Sequence, residues 1–153
     1  MSKVSRLHPL LEFTLRKLEK PFTTNYRELV RAFCVSIGLV QPADSRDVIV
    51  DVLVALLKYR PKQKLLYTQD VQKIVSDYRA HIGLPVVGVS QSNILRALKI
   101  LRTKGIAEVV SGGYRIREWS LLTTVFETHL QEYLIKTTIE RIKEYSDRID
   151  SIT

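Results

Sequence analysis

Cysteine occurs once, at Cys34, so no intramolecular disulfide can staple the fold, and no cysteine-histidine cluster exists for a structural zinc site. A reducing, cytoplasmic setting is the expectation. No segment has the apolar core of a signal peptide, and no run approaches the roughly 20 apolar residues needed to cross a bilayer. The longest apolar stretch, residues 48–57, is interrupted by Asp51 and reads as a buried helix without a membrane partner. Catalytic signatures are missing as well. His8, His81 and His129 are dispersed, no glycine-rich phosphate loop ends in Gly-Lys, and no Ser-His-Asp or Cys-His grouping can be assembled. The expectation is a protein that is not an enzyme and needs neither cofactor nor metal. Asp44, Asp47 and Asp51 lie along a helix start, where carboxylates complement the macrodipole, and capping is the reading preferred over metal binding.

What is present is an ordinary folded chain: 45% of its 153 residues are hydrophobic and 26% are charged, enough for one sizeable core and a short appendage. The formal net charge is +8, a field that favours polyanionic partners.

Along the first 44 residues the pattern predicts a helical extension of two helices, 9–20 and 25–37. Leu10, Leu11, Leu15 and Leu18 fall on one face of the first, and Tyr26, Leu29, Val30, Phe33 and Ile37 on one face of the second. From Ser45 a trihelical unit begins. Its first helix, capped at Ser45, stops before Pro61; a basic connector over 62–67 has room for a short strand; Thr68 caps a second helix that ends near Gly83. After a turn containing Pro85 and Gly88, Ser90 caps a third helix running to about Lys104. Ile94, Leu98 and Leu101 mark its inward face; Ser92, Arg96, Lys99 and Thr103 share another. Two short runs rich in Val, Ile, Tyr and Trp then flank Ser111-Gly112-Gly113, a hairpin signal because paired glycines accept positive φ.

This order over residues 45–119 resembles the winged helix-turn-helix DNA-binding family of transcriptional regulators, most closely in the stretch from Ser90 to Ile106. The resemblance implies a mainly α fold with a β-hairpin wing, in which the third helix reads the major groove of double-stranded DNA and the wing holds the backbone. The positions matching those roles are Ser90, Gln91, Ser92, Asn93, Arg96, Lys99 and Thr103 on the helix, with Arg115 and Arg117 on the wing. Between Ser90 and Arg117 six cations face the single Glu108. For Arg115 and Arg117, phosphate contact and simple protection of a strand edge stay open, as do stacking and core roles for Tyr114. Lys58, Arg60, Lys62 and Lys64 are secondary backbone candidates, although a solvated loop is the plainer reading.

Residues 120–153 form one long helical pattern of slightly acidic composition. Phe126, Tyr133, Leu134, Ile139, Ile142, Tyr145 and Ile149 recur at spacings that suit either folding back on the N-terminal helices or pairing with a second copy; the helix is longer than the domain needs to cover itself, so a homodimer is expected. Alternatives that keep the same surfaces are DNA binding without sequence preference, as in plasmid or chromosome maintenance, and a protein-docking assembly module. RNA stays open as a ligand, and a nucleoid association follows if the source is prokaryotic.

Overall fold

The computed structural model describes residues 7–152; residues 1–6 and Thr153, which belong to the outer segments outlined above, lie outside it. The chain is mainly helical with one small antiparallel hairpin and a long C-terminal helix. Its elements are α1 (Tyr26–Ser36), α2 (Val48–Tyr59), α3 (Thr68–His81), α4 (Gln91–Thr103), β1 (Ala107–Val110), β2 (Gly113–Ile116), α5 (Leu122–Val125), a π-helical segment (Phe126–Ile135) and α6 (Lys136–Ile152).

The centre of the fold is α2. Every residue from Ile49 to Leu57 is buried, because α1, α3, α4 and β2 pack around this helix on all sides. The core continues through Val30, Cys34 and Ile37 of the α1 region, Val71 and Val75 of α3, Ile94, Leu98 and Leu101 of α4, then Ile106, Ile116, Val125 and Leu130. Helix α1 starts at Asn25, whose side chain accepts the Glu28 N–H at 3.0 Å. Asp47, not Ser45, precedes the first residue of α2, and no side chain caps that helix. Thr68 is the first residue of α3 rather than its cap; Asp70 Oδ2 reaches back to accept the Tyr67 N–H at 2.9 Å.

Only one of the two expected N-terminal helices forms. Residues 9–25 are irregular, and Leu10, Leu11, Leu15 and Leu18 all stay exposed. Arg16 accounts for the geometry: its N–H donates to Ser36 O at 2.8 Å, and its guanidinium donates to the carbonyls of Val35 and Val40 at 2.8 and 3.2 Å. These bonds satisfy carbonyls at the end of α1 and just beyond it.

The predicted strand in the connector is a single bridge. Leu66 and Tyr114 exchange N–H···O bonds of 3.0 and 2.7 Å, placing Leu66 beside β2. In the hairpin, Ala107 faces Ile116 and Val110 faces Gly113. The left-handed turn residues are Ser111 and Gly112, with φ of 50° and 80°. Gly113 has another reason to be glycine: a Cβ there would stand 2.8 Å from Leu65 Cβ. Tyr114 is buried, which answers its open role in favour of the core.

The C-terminal helix is continuous but not uniform. Over Phe126–Ile135 the backbone widens to i→i+5 bonding, which carries residues five apart to one side. Val125 and Leu130 are both buried at that spacing, and Ile135 is half-buried. Phe126 and Leu134, two of the residues expected to meet a second copy, are partly buried against their own chain. Beyond this, no residue of α6 is buried.

Replacing Gly113 by alanine forces the connector away from β2. The expected cost is about 1–3 kcal/mol in denaturant unfolding, typical of an overpacked core contact, whereas Gly83→Ala, with no atom within 4 Å of the new Cβ, meets only its left-handed φ of 78°.

Candidate nucleic-acid interface

The expected surface begins at Ser90, whose Oγ accepts the Asn93 N–H at 3.2 Å and so fixes the first turn of α4. Ser90 thereby acts as the cap. Behind it, Ile94, Ala97, Leu98 and Leu101 are buried, which turns Gln91, Ser92, Arg96, Lys99, Arg102 and Thr103 outward. Asn93 is half-buried. Among the described residues, no acid or hydrogen-bond acceptor of the protein engages Arg96, Lys99 or Arg102. Arg96 stands between two grooves. One, of about 570 Å³, is lined by Ser92, Leu95, Lys99 and Thr103; the other, of about 650 Å³, lies against the start of α2 and is lined by Arg46, Ile49 and Val87.

The hairpin arginines are placed differently from the helix cations. Arg115 lies directly across from Glu108, and their side chains form an ion pair with N···O distances of 2.6 and 2.8 Å. The Arg115 guanidinium also lies 5.0 Å from the centre of the Trp119 ring. Burial opposes ionisation of Glu108, but the Glu118 N–H at 2.9 Å and Arg115 more than offset it, so its carboxyl is held below the usual range. Left-handed backbone at Glu118 and Trp119, with φ of 54° and 56°, aims that N–H at the carboxylate. Arg117 is half-buried, and its Nε has no hydrogen-bond partner among the described residues. Alternation along β2 would put both arginines on a free face; cross-strand pairing occupies the first, and the chain's turn after Ile116 tucks in the second.

The secondary basic cluster does not join the α4 surface. The ammonium groups of Lys58, Lys62 and Lys64 lie 5.8, 5.2 and 5.3 Å from the centre of the Tyr59 ring. Arg60 is half-buried beside them in sequence. Ile49 borders the groove at Arg96, and Lys58 is nine residues further along α2, about 14 Å at 1.5 Å per residue.

A charged cluster absent from the sequence reading lies under this surface. Asp47 and Asp51, read above as helix-start residues, are both buried, and Asp51 is 1% exposed. Arg27 of α1 grips Asp51 at 2.8 and 3.2 Å and Asp47 at 3.2 Å; Arg31 reaches Asp47 at 3.0 Å; Arg79 of α3 reaches Asp51 at 2.6 Å. Burial works against the charge on Arg27, but its bond to Asp51 and the two carboxylates together lift its pKa above the usual value. The available signal was Asp51 itself, an acid inside an otherwise apolar run, which has to be paired when buried. Asp44 serves differently, accepting the Arg46 N–H at 2.9 Å, and this bond together with the Arg46 side chain keeps its carboxyl low. Cys34 is packed in the core, and burial pushes its thiol up to about 12.

Among the described residues, no group of three or more His, Cys, Asp or Glu side chains could hold a metal ion. No described helix is long and apolar enough to cross a membrane. Compared with protein-family models, curated proteins and solved structures, the chain matches none.

Asp51→Ala leaves Arg79 buried without its shortest partner, and a loss of about 3–5 kcal/mol in unfolding free energy is expected; a loss below 1 kcal/mol would show the pair to be dispensable. For Glu108 the lowered carboxyl means that its contribution is complete above the ordinary value of 4.5 and disappears as pH falls through the lower folded-state value. Thermal melts of Glu108→Gln should therefore lie closer to wild type in acid, well below the ordinary value of 4.5, than at pH 7.

Proposed function

We propose that the chain is a winged-helix DNA-binding protein in which α4 enters the major groove. The observation that carries this reading is the row of outward cations Arg96, Lys99 and Arg102 on a capped helix, unengaged by any acid of the protein among the described residues. Cations left free of internal partners are available to neutralise phosphates, while Gln91 and Ser92 offer short polar groups at the end where a recognition helix meets base edges. The element order supports the same reading: α2, the Leu66 bridge, α3, α4 and the hairpin follow the succession of a winged helix. The hairpin contributes less than the helix, since Arg115 is committed to Glu108, Arg117 is half-buried, and backbone contact from this side falls to the turn at Ser111-Gly112. A transcriptional regulator acting as a dimer is the form this module best suits, with pairing through the exposed residues of α6.

A second reading has an observation of its own. Val87 and Ile100 are 65% and 39% exposed and border the groove at Arg96, as an apolar protein-docking surface would require. Salt dependence separates the two. Fluorescence anisotropy with a random 30-base-pair duplex is expected to show affinity falling steeply with salt, and Arg96→Ala with Lys99→Ala should reduce the log-log slope by about 2, one per lost phosphate contact. No binding at low salt would sink the DNA reading and favour docking. Equal affinity for every duplex tried would instead place the protein among binders without sequence preference.

A further inference from the structure

The exposed stripe on α6 resolves into a seam with a direction. Ile135, Ile142 and Ile149 repeat every seven residues, and Thr138, Tyr145 and Ile152 repeat three residues after each of them, the a and d positions of a two-helix coiled coil. Ile142, Tyr145, Ile149 and Ile152 are 59%, 62%, 61% and 81% exposed, so no described residue covers the seam from Ile142 onward, whereas Ile135 and Thr138 at its start are half-buried. The charges flanking it are not evenly spread. Residues 136–143 carry Lys136, Arg141 and Lys143 against Glu140, and residues 144–152 carry Arg148 against Glu144, Asp147 and Asp150. One half of the helix is thus +2 and the other −2.

We infer that a second copy of this chain covers the seam and that the two α6 helices run antiparallel. A parallel pair would set the two positive halves side by side and the two negative halves likewise. An antiparallel pair sets each positive half against a negative one. Antiparallel packing also matches a positions to d positions, so Thr138 meets Ile149 of the second copy and Ile142 meets its Tyr145. The helix macrodipoles oppose in this arrangement as well. This rests on the pairing proposed above through α6 and names its partner and orientation. The consequence for the proposed DNA reading is that the two folded bodies sit at opposite ends of the helix pair.

The test uses the full chain without DNA, so its outcome is independent of whether α4 binds a duplex. Thr137→Cys and Ser151→Cys, both exposed and off the seam, are spin-labelled in separate samples; the native Cys34 is buried and stays unlabelled. In an antiparallel pair, label-to-label distances within either variant span 13 to 15 residues of helix, about 20–22 Å along the axis at 1.5 Å per residue, whereas a mixture of the two variants gives its shortest distance between positions 137 and 151. Short distances within each single variant would overturn the orientation. Sedimentation of a monomer at every concentration used for labelling would overturn the pairing itself. Lys143→Glu with Asp147→Lys makes both halves neutral and is expected to abolish the preference, giving both sets of distances; an unchanged antiparallel pattern in that variant would overturn the role of charge.

Discussion

Asp51 is an acid placed where α2 has no route to water, and the positions of the neighbouring elements follow from how that charge is met. Arg27 brings α1 to it, Arg79 brings α3, and Asp47 one turn earlier is held by Arg27 and Arg31. The same arginines then spend their remaining donors on backbone. Arg31 donates to the carbonyls of Pro42 and Asp44, and Arg79 Nε donates to Pro85 O at 2.7 Å. The connector into α2 and the connector into α4 are thereby tied to one cluster. A buried ion pair adds little net stability over a well-packed apolar substitute, because desolvation consumes most of the attraction. Its effect here is geometric: this arrangement of α1, α2 and α3 brings all five charges together, and α4 is launched from a connector tied to the same cluster.

Much of this fold was legible from residue spacing. The helices α2, α3 and α4, the Ser90 cap and the hairpin follow from apolar period, capping chemistry and turn residues, all local properties. What the sequence did not disclose depends on partners distant in the chain. The leucines of residues 10–18 have helical spacing, yet Arg16 finds the end of α1 and the segment runs irregularly across it. The wide turns after Val125 are readable only once the five-residue interval between Val125 and Leu130 is known to face a core. Asp47 and Asp51 have the sequence positions of dipole-complementing acids, and nothing local announces that Arg27 and Arg79 converge on them.

A count of cations between Ser90 and Arg117 treats them as equivalent, but the structure divides them by what already holds them. Arg115 is neutralised by Glu108 and lies over Trp119, whereas Arg96, Lys99 and Arg102 carry charge that no acid among the described residues cancels. The Lys58, Lys62 and Lys64 cluster is held around Tyr59 at the far end of α2. The basic excess of the chain is therefore distributed over separate faces, and that of α4 carries Arg96, Lys99 and Arg102 unpaired with any acid among the described residues.

The π-helical stretch between the body and α6 has one more bearing. Val125 at the end of α5 and Leu130 within the stretch fix its inner side in the core, and its outer end starts the helix that carries the apolar seam. It acts as a phase coupling: the azimuth at which the seam leaves the body is set by how many residues this stretch contains and how widely they wind. One residue more or fewer would rotate the seam by about 100°, a full side of the helix at 3.6 residues per turn, without altering any residue on it. Residue number in this short stretch is thus under a constraint separate from residue identity, and insertions or deletions there would be felt as misdirection of an otherwise intact surface.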